Sequence, residues 1–420
     1  MTAVAVVLLL AQELAPLVWN AVDASPSEYP KAVLALRKHP DGGWKKVARV
    51  LEAGRLGAPT GVVAIDDQER LVKALERVRW SVGEVRTYDF GDFPGAFYRL
   101  ELPRSPAKGP IPVSIDLMLP LQHPEWALVQ VNWTMVALME EKGIPMSMTA
   151  GRNFQSLVLS IVADLERRIP VDRSRVFVGG FSRGGNAAWY FGVHWPDRFA
   201  GVMPASGYYP VPDKLLGNLD HVGVFAAIGV DRGHRDSNAY TEKTARLLKR
   251  RGHPRVGMYR STSRAVDGSI REEAWKWLLG TRGEALPKRV RYALQDEAHG
   301  SAYWIEIRRV VDGGTRRPLR ILAPGGATKE TVYLNSRVSW VEAEVVAANE
   351  VALKTRAVEE LVLRLSPGLF DLERPIRVRR GGKTKSYDAK PSVNVLIRSY
   401  RRDRDKRRLY PAELKIRPGR

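Results

Sequence analysis

The chain has 420 residues, of which 44% are hydrophobic, and 67 Lys and Arg against 46 Asp and Glu give it a formal net charge of +21. That apolar fraction and 11 tryptophans exclude pervasive disorder, and the length exceeds one ordinary core, so two or three domains are expected. The absence of cysteine excludes a disulfide framework, a thiolate nucleophile and a cysteine-ligated metal site.

Residues 3–11 make an apolar run shorter than the roughly 18 residues needed to cross a bilayer. The run looks like a signal-peptide core within segment 1–24, yet no Lys or Arg precedes it, and a plain N-terminal helix explains it about as well. The balance tips towards an exported or envelope-associated protein over a cytoplasmic one. Residues 28–80 carry apolar side chains at helix spacing in 32–36, 47–51 and 71–75, so 1–83 is expected to be a helical extension without chemistry of its own. Two extended pieces follow in 84–102, then a Pro- and Gly-rich loop over 103–112.

Strands and helices then alternate. Strands are expected at 113–119, 144–149, 175–179, 199–204, 222–228 and 255–261, and helices at 124–142, 153–168, after 184, at 239–251 and at 271–279. Such alternation implies a mostly parallel sheet with helices on both faces, and 84–282 is read as one α/β domain. Beyond 285 the pattern changes to short strands at 303–307, 319–322, 331–334 and 361–365 with turn residues between them. This predicts an antiparallel, sandwich-like module over 283–420.

The most informative stretch is Gly180-Phe181-Ser182-Arg183-Gly184, a G-x-S-x-G sequence between a buried strand and a helix. A sharp strand-to-helix turn leaves room only for the smallest neighbours, hence Gly180 and Gly184, and lifts the Ser182 hydroxyl clear of the sheet. The amides that follow lie at a helix N-terminus, where they can face an anion.

Residues 171–185, with 194–200 and 204–207, resemble bacterial esterases of the phospholipase/carboxylesterase and polyhydroxybutyrate-depolymerase-like group within the α/β-hydrolase superfamily. Residues 302–307 and 369–378 are similar to the β-rich module that follows such domains in some exported bacterial proteins. The resemblance implies an α/β-hydrolase fold, a carboxylic-ester substrate, small or polymeric, and an acyl-enzyme on Ser182 without any cofactor. It also implies the chain order serine, acid, histidine. Asp231 matches the acid, with one residue fewer than usual after Gly229, and Asp236 is a second candidate. The family's histidine loop, here 262–268, contains no histidine. His234 on the sheet's carboxyl rim and His299 at the start of the β-rich module are the candidate bases, while His253 falls at the amino edge. His39, His123, His194 and His221 read as structural or surface residues. The oxyanion donors are expected to be the amides of Arg183 and of Gln122 or its neighbour Leu121, where the family usually has His-Gly. Met146, Met148, Tyr208 and Tyr209 line an acyl pocket or pack ordinary core.

Two functional readings stay open: an active serine esterase, or a catalytically impaired hydrolase fold kept as a binding or scaffold module. The basic stretch 398–408 is interrupted by Asp403 and Asp405 and reads as a charged hairpin between strands at 392–397 and 409–411. Nucleic-acid binding through it is a distant alternative, and general adhesion to an anionic envelope a further one.

Overall fold

The structure, a computed structural model, describes residues 3–54, 82–84, 97–101, 103, 109–117, 126–131, 152–166, 169–209, 212–229, 235–261, 268–295, 300–311, 316–321, 330–335 and 338–418. Helices α1 (Ala3–Asp23), α2 (Tyr29–Lys38) and α3 (Trp44–Ala53) open the chain. Residues 32–36 and 47–51 are thus helical as expected, whereas 71–75 lie outside the described residues. Among the described residues, no helix is long and apolar enough to cross a membrane.

Among the described residues, the central sheet has eight strands in the order β1-β2-β4-β3-β5-β6-β7-β8. They are β1 (Val82–Glu84), β2 (Phe97–Glu101), β3 (Ile111–Leu117), β4 (Ala127–Gln130), β5 (Val171–Phe181), β6 (Gly201–Ala205), β7 (Gly223–Ile228) and β8 (Val256–Arg260). The run from β4 to β8 is parallel, and β2 pairs antiparallel with both β1 and β4. Helices α4 (Arg152–Leu165), α5 (Arg183–His194), α6 (Arg235–Arg250) and α7 (Gly268–Leu279) connect the later strands. Two apolar clusters lie against the sheet. One holds Val113, Ile115, Val178, Val202 and Val224 with α4 and α5, the other Phe177, Met203, Phe225 and Ala274 of α7. This is the mostly parallel, helix-covered sheet expected from the alternation, and the α/β-hydrolase architecture that the resemblance implies.

One expectation needs correction here. Residues 127–130 were expected inside a helix over 124–142 but form strand β4, buried between β2 and β3. Trp126, Ala127, Leu128 and Val129 are nearly inaccessible, and such a continuous apolar run has neither helix nor strand period to read. Residues Asp213–His221 form a 3-10 helix that buries Leu215, Leu216 and Leu219. The strand expected at 144–149 lies outside the described residues.

The β-rich part contains two packed sheets. One is β10 (Ser301–Ala302), β11 (Ile305–Val310), β16 (Val358–Leu365) and β19 (Ala412–Ile416); the other is β18 (Lys383–Tyr387), β17 (Ile376–Arg380), β15 (Glu350–Arg356), β14 (Ser339–Ala347) and β9 (Arg289–Leu294). A hairpin of β12 (Arg316–Ile321) and β13 (Glu330–Asn335) stands apart as a sheet of its own. Alternate residues such as Tyr292, Val341, Ala343, Val351, Leu361, Leu363 and Leu414 meet between the two larger sheets in one cluster. The module is antiparallel except for β15 and β17, which pair parallel.

The basic stretch is not a hairpin between strands. Residues Val393–Asp403 form helix α8, capped by Ser392, whose hydroxyl accepts the Val395 amide at 3.2 Å. Val393, Leu396, Ile397 and Tyr400 recur at helix spacing and pack with Leu14, Val18 and Val22 of α1, Leu36 of α2 and Leu51 of α3. Past α8 the charges turn inward. Asp403, fully buried, receives hydrogen bonds from Arg364 at 2.9 Å, Arg198 at 3.0 Å and Arg402 at 3.1 Å. Arg408 pairs with Asp197 and Asp405, and Arg404 with Asp23 at 3.1 Å. Arg398, Arg401, Arg402 and Arg407 are likewise engaged by Glu413, the Ala21 and Ala24 carbonyls, Glu306 and Asp405. A stripe that exchanges counterions for phosphate needs free cations, and these arginines already have partners.

Candidate active site

Ser182 links β5 directly to α5 with φ 56° and ψ −113°. A positive φ at a residue with a Cβ costs of order 1–3 kcal/mol and persists only where the surroundings over-determine it. Here they do. The Ser182 amide donates to the Ala205 carbonyl of β6 at 2.9 Å, and its carbonyl accepts the first bond of α5 from Asn186 at 3.0 Å. The two flanking glycines are required by space. A Cβ on Gly180 would lie 2.2 Å from the Gly184 carbonyl carbon, and one on Gly184 1.7 Å from the Leu117 carbonyl oxygen. Gly185 and Gly207 face each other in the same way, with a Cβ on Gly207 reaching 2.5 Å from the Gly185 carbonyl carbon. Ser182 itself is half-buried, and α5 runs away from it with Arg183 as its first residue. The N-terminus of that helix therefore presents amides next to the serine.

A belt of polar side chains fastens the turn to its neighbours. Asn186, in the first turn of α5, accepts the Tyr208 amide through Oδ1. Thr241 of α6 donates to the Gly207 carbonyl at 2.7 Å and accepts from Trp189 Nε1 at 3.4 Å. Asn238, one turn earlier on α6, accepts from the Ser206 hydroxyl at 2.7 Å and from the Gly229 amide at 3.3 Å, and donates to the Gly229 carbonyl at 2.7 Å. Ser206 has a positive φ of 49° and is fully buried. Asn238 and Thr241 were not singled out from sequence. Their signal was available: a polar pair three residues apart that continues the stripe of Ala245 and Leu248 and so must be buried with it. Asp116, 4% exposed in β3 opposite Gly179, was also passed over.

Of the site residues expected from sequence, Ser182, Arg183, Gly180 and Gly184 come together as described. Asp231, His234, His299, Gln122, Leu121, His123, Met146, Met148 and the 262–267 part of the loop lie outside the described residues. Asp236 falls in the first turn of α6. The described histidines serve other contacts. His194 closes α5, eleven residues past Arg183 and roughly 16 Å along its axis, with Nε2 hydrogen-bonded to the Tyr209 hydroxyl at 3.0 Å. His221 sits between the Arg289 carbonyl and Glu284. His39 accepts the Asp41 amide.

His253 lies before β8 at the amino edge, as expected. Its Nδ1 accepts the Arg255 amide at 3.1 Å, so Nε2 carries the proton and donates to the Leu219 carbonyl at 2.7 Å. Burial lowers its pKa from the ordinary imidazole value. Tyr209 is core rather than pocket wall: it is 3% exposed, and burial raises its pKa far above the phenol range. A cleft of about 530 Å³ lined by Asp213, Asp220, Arg251, His253, Arg291 and Trp340 opens at this amino edge, the opposite end of the strands from Ser182.

Residues 114–247 match the family model described as Phospholipase/Carboxylesterase. Acyl-protein thioesterase 1 of Schizosaccharomyces pombe (strain 972 / ATCC 24843) is 40% identical over 62 residues, which are 15% of this chain and 27% of that protein. The chain thus spans about a quarter of the length of this curated relative. Among solved structures, a thermostable esterase is similar at 16% identity and a TM-score of 0.34, covering 44% of this chain and 59% of its own. The enterobactin esterase of Shigella flexneri gives 15% and 0.32, covering 44% and 54%. S-formylglutathione hydrolase from Staphylococcus aureus gives 15% and 0.33, covering 44% and 93%. Over residues 114–247 the chain therefore resembles the phospholipase/carboxylesterase family in sequence, and its central sheet has the α/β-hydrolase fold.

Proposed function

We propose that the chain is a serine hydrolase that cleaves a carboxylic ester or thioester through an acyl-enzyme on Ser182. The observation that carries this reading is the held turn at Ser182, with a strand behind it and a helix N-terminus in front. The match of 114–247 to a phospholipase/carboxylesterase model supports the reaction class, and the short match to a thioesterase supports adding thioesters to the substrates.

In this reading the Ser182 oxygen attacks the acyl carbon while its proton passes to an imidazole. The carbonyl oxygen gains the charge and is met by the Arg183 amide and a second amide near Gln122. Collapse expels the alcohol or thiol, which takes the proton back, and water then releases the acid by the same route. Asp231 orients the imidazole, and His234 or His299 supplies it.

Hydrolysis of p-nitrophenyl butyrate and of a butyryl thioester by wild type and Ser182→Ala tests the reading. We expect the substitution to lower kcat by about 10³-fold or more, in line with losses measured for serine nucleophiles. Equal rates in the two proteins would refute it.

A further inference from the structure

We infer that Asn238 is a positioning residue that holds the exits of β6 and β7 in register with Ser182. The inference rests on the serine-hydrolase reading above. It starts from the way Asn238 is used. Its amide pairs with both polar groups of a single residue, Gly229, accepting from the amide at 3.3 Å and donating to the carbonyl at 2.7 Å. This two-way pairing also fixes which end of the side-chain amide is oxygen, since the reverse orientation would set donor against donor and acceptor against acceptor.

Gly229 directly follows β7 and stands two residues before Asp231, while α6 begins four residues after Asp231. Asn238 therefore ties the exit of β7 directly to α6.

The same carboxamide reaches towards the serine. Its Oδ1 also accepts the Ser206 hydroxyl at 2.7 Å, one residue past the Ala205 carbonyl that receives the Ser182 amide. From Ser206 the path continues through Gly207, in close contact with Gly185, and through Tyr208, whose amide donates to Asn186. Three hydrogen bonds to one side chain that is 8% exposed thus join the exits of β6 and β7, and the Ser182 amide joins the exit of β5 to β6 through the Ala205 carbonyl. Near-attack geometry is unforgiving: a misplacement of about 1 Å costs on the order of 10²-fold in rate.

A buried asparagine elsewhere separates positioning from plain stability. Asn218, 2% exposed, donates to the Val193 and Ala293 carbonyls at 2.8 Å and accepts the Ala293 amide at 2.8 Å, all at the amino edge. The test measures the second-order rate of fluorophosphonate labelling of Ser182, per folded molecule, for wild type, Asn238→Ala, the isosteric Asn238→Asp and Asn218→Ala, beside thermal midpoints. We expect Asn238→Ala to label at least about tenfold more slowly. Asn238→Asp, which sets two acceptors against the Gly229 carbonyl and adds a charge, should fall likewise and shift the pH midpoint of labelling upward. Asn218→Ala should lose stability while keeping the wild-type labelling rate. Equal labelling of the Asn238 variants and wild type, or an equal loss in Asn218→Ala, overturns the inference alone. A wild type that does not label overturns the serine-hydrolase reading beneath it.

Discussion

Asp403 concentrates more of the molecule's charge pairing than any other described carboxylate, and replacing it with Asn tests whether that pairing holds the fold together. Its side chain is fully buried and meets Arg364, 3% exposed, at 2.9 Å, and Arg198, 14% exposed, at 3.0 Å. Burial alone would raise the Asp403 pKa, but the Arg402, Arg198 and Arg408 charges outweigh it and hold the carboxyl below the usual range. Asn keeps the shape and one acceptor, yet leaves the Arg364 guanidinium without its counter-charge. That cation retains only neutral contacts, to the Ser301 hydroxyl at 2.8 Å, the Tyr303 carbonyl and the Tyr410 ring at 4.9 Å. Removing one partner of a buried pair costs about 3–5 kcal/mol, and the acceptor that Asn keeps points to the lower end, about 3 kcal/mol. If a unit of about 150–250 residues melts together, the midpoint falls by about 6–12 °C. Urea melts followed by tryptophan fluorescence measure the loss, and a cycle with Arg364→Met measures the coupling. The coupling should exceed about 1 kcal/mol because the two side chains share one hydrogen bond. The exposed pair Lys45–Glu373 is the control, since disrupting it should change stability by less than about 1 kcal/mol. A loss below about 1 kcal/mol for Asp403→Asn, or strict additivity with Arg364→Met, would refute the reasoning.

Further outcomes follow from the same geometry. Gly184→Ala should leave no stable fold or cost more than about 4 kcal/mol, because its Cβ meets the Leu117 carbonyl oxygen, whereas Gly252→Ala, at φ +74° in open space, should cost only about 1 kcal/mol. Thermal melts of the two variants would contradict this if their losses were similar. His253 is held neutral by burial, so its folded pKa lies below its unfolded one. Its contribution is whole above pH ~6.5 and is lost as pH falls through the folded value, so His253→Gln should flatten the stability profile below pH ~6.5. An NMR midpoint for His253 at or above 6.5 would rule that out. Asp405, whose pKa the Arg408 and Arg407 charges lower despite burial, keeps its contribution above pH ~4 and loses it only below, so the acid limb should persist in that variant. Val18→Asp places a charge in the cluster that α1 shares with α8 and should make residues 393–409 cleavable by trypsin under native conditions; unchanged protection would contradict the shared core.

Much of the fold was legible because local signals and tertiary role agreed. The parallel strands at 175–179, 222–228 and 255–261 are apolar runs closed by turn residues, and their helices carry regular apolar stripes. The strand-to-helix turn at Ser182 was legible for a steric reason, since glycine alone fits where Gly180 and Gly184 pass backbone at such short range. Where period and context parted, the reading failed. Strand β4 is buried on both faces and shows no alternation, so its residues joined the helix expected beside them. In α8, Arg398, Arg401, Arg402 and Asp403 around Leu396, Ile397 and Tyr400 masked a helical stripe, because charges look like surface until their partners far along the chain are known. The site was legible in part for the same reason. Ser182 announces itself through its neighbours in sequence, while Asn238 acts through Gly229 and Ser206, which only the folded sheet brings to it.

The shared core of α1, α2, α3 and α8 also has a consequence in time. Residues 3–53 leave the ribosome about 340 residues before α8 does, a wait of roughly 20–70 s at typical elongation rates of about 5–20 residues per second. Throughout that interval Val18, Leu36 and Leu51 lack the wall that Leu396 and Tyr400 later provide. Newly made chains therefore pass through a long stage with an open apolar face at their leading end.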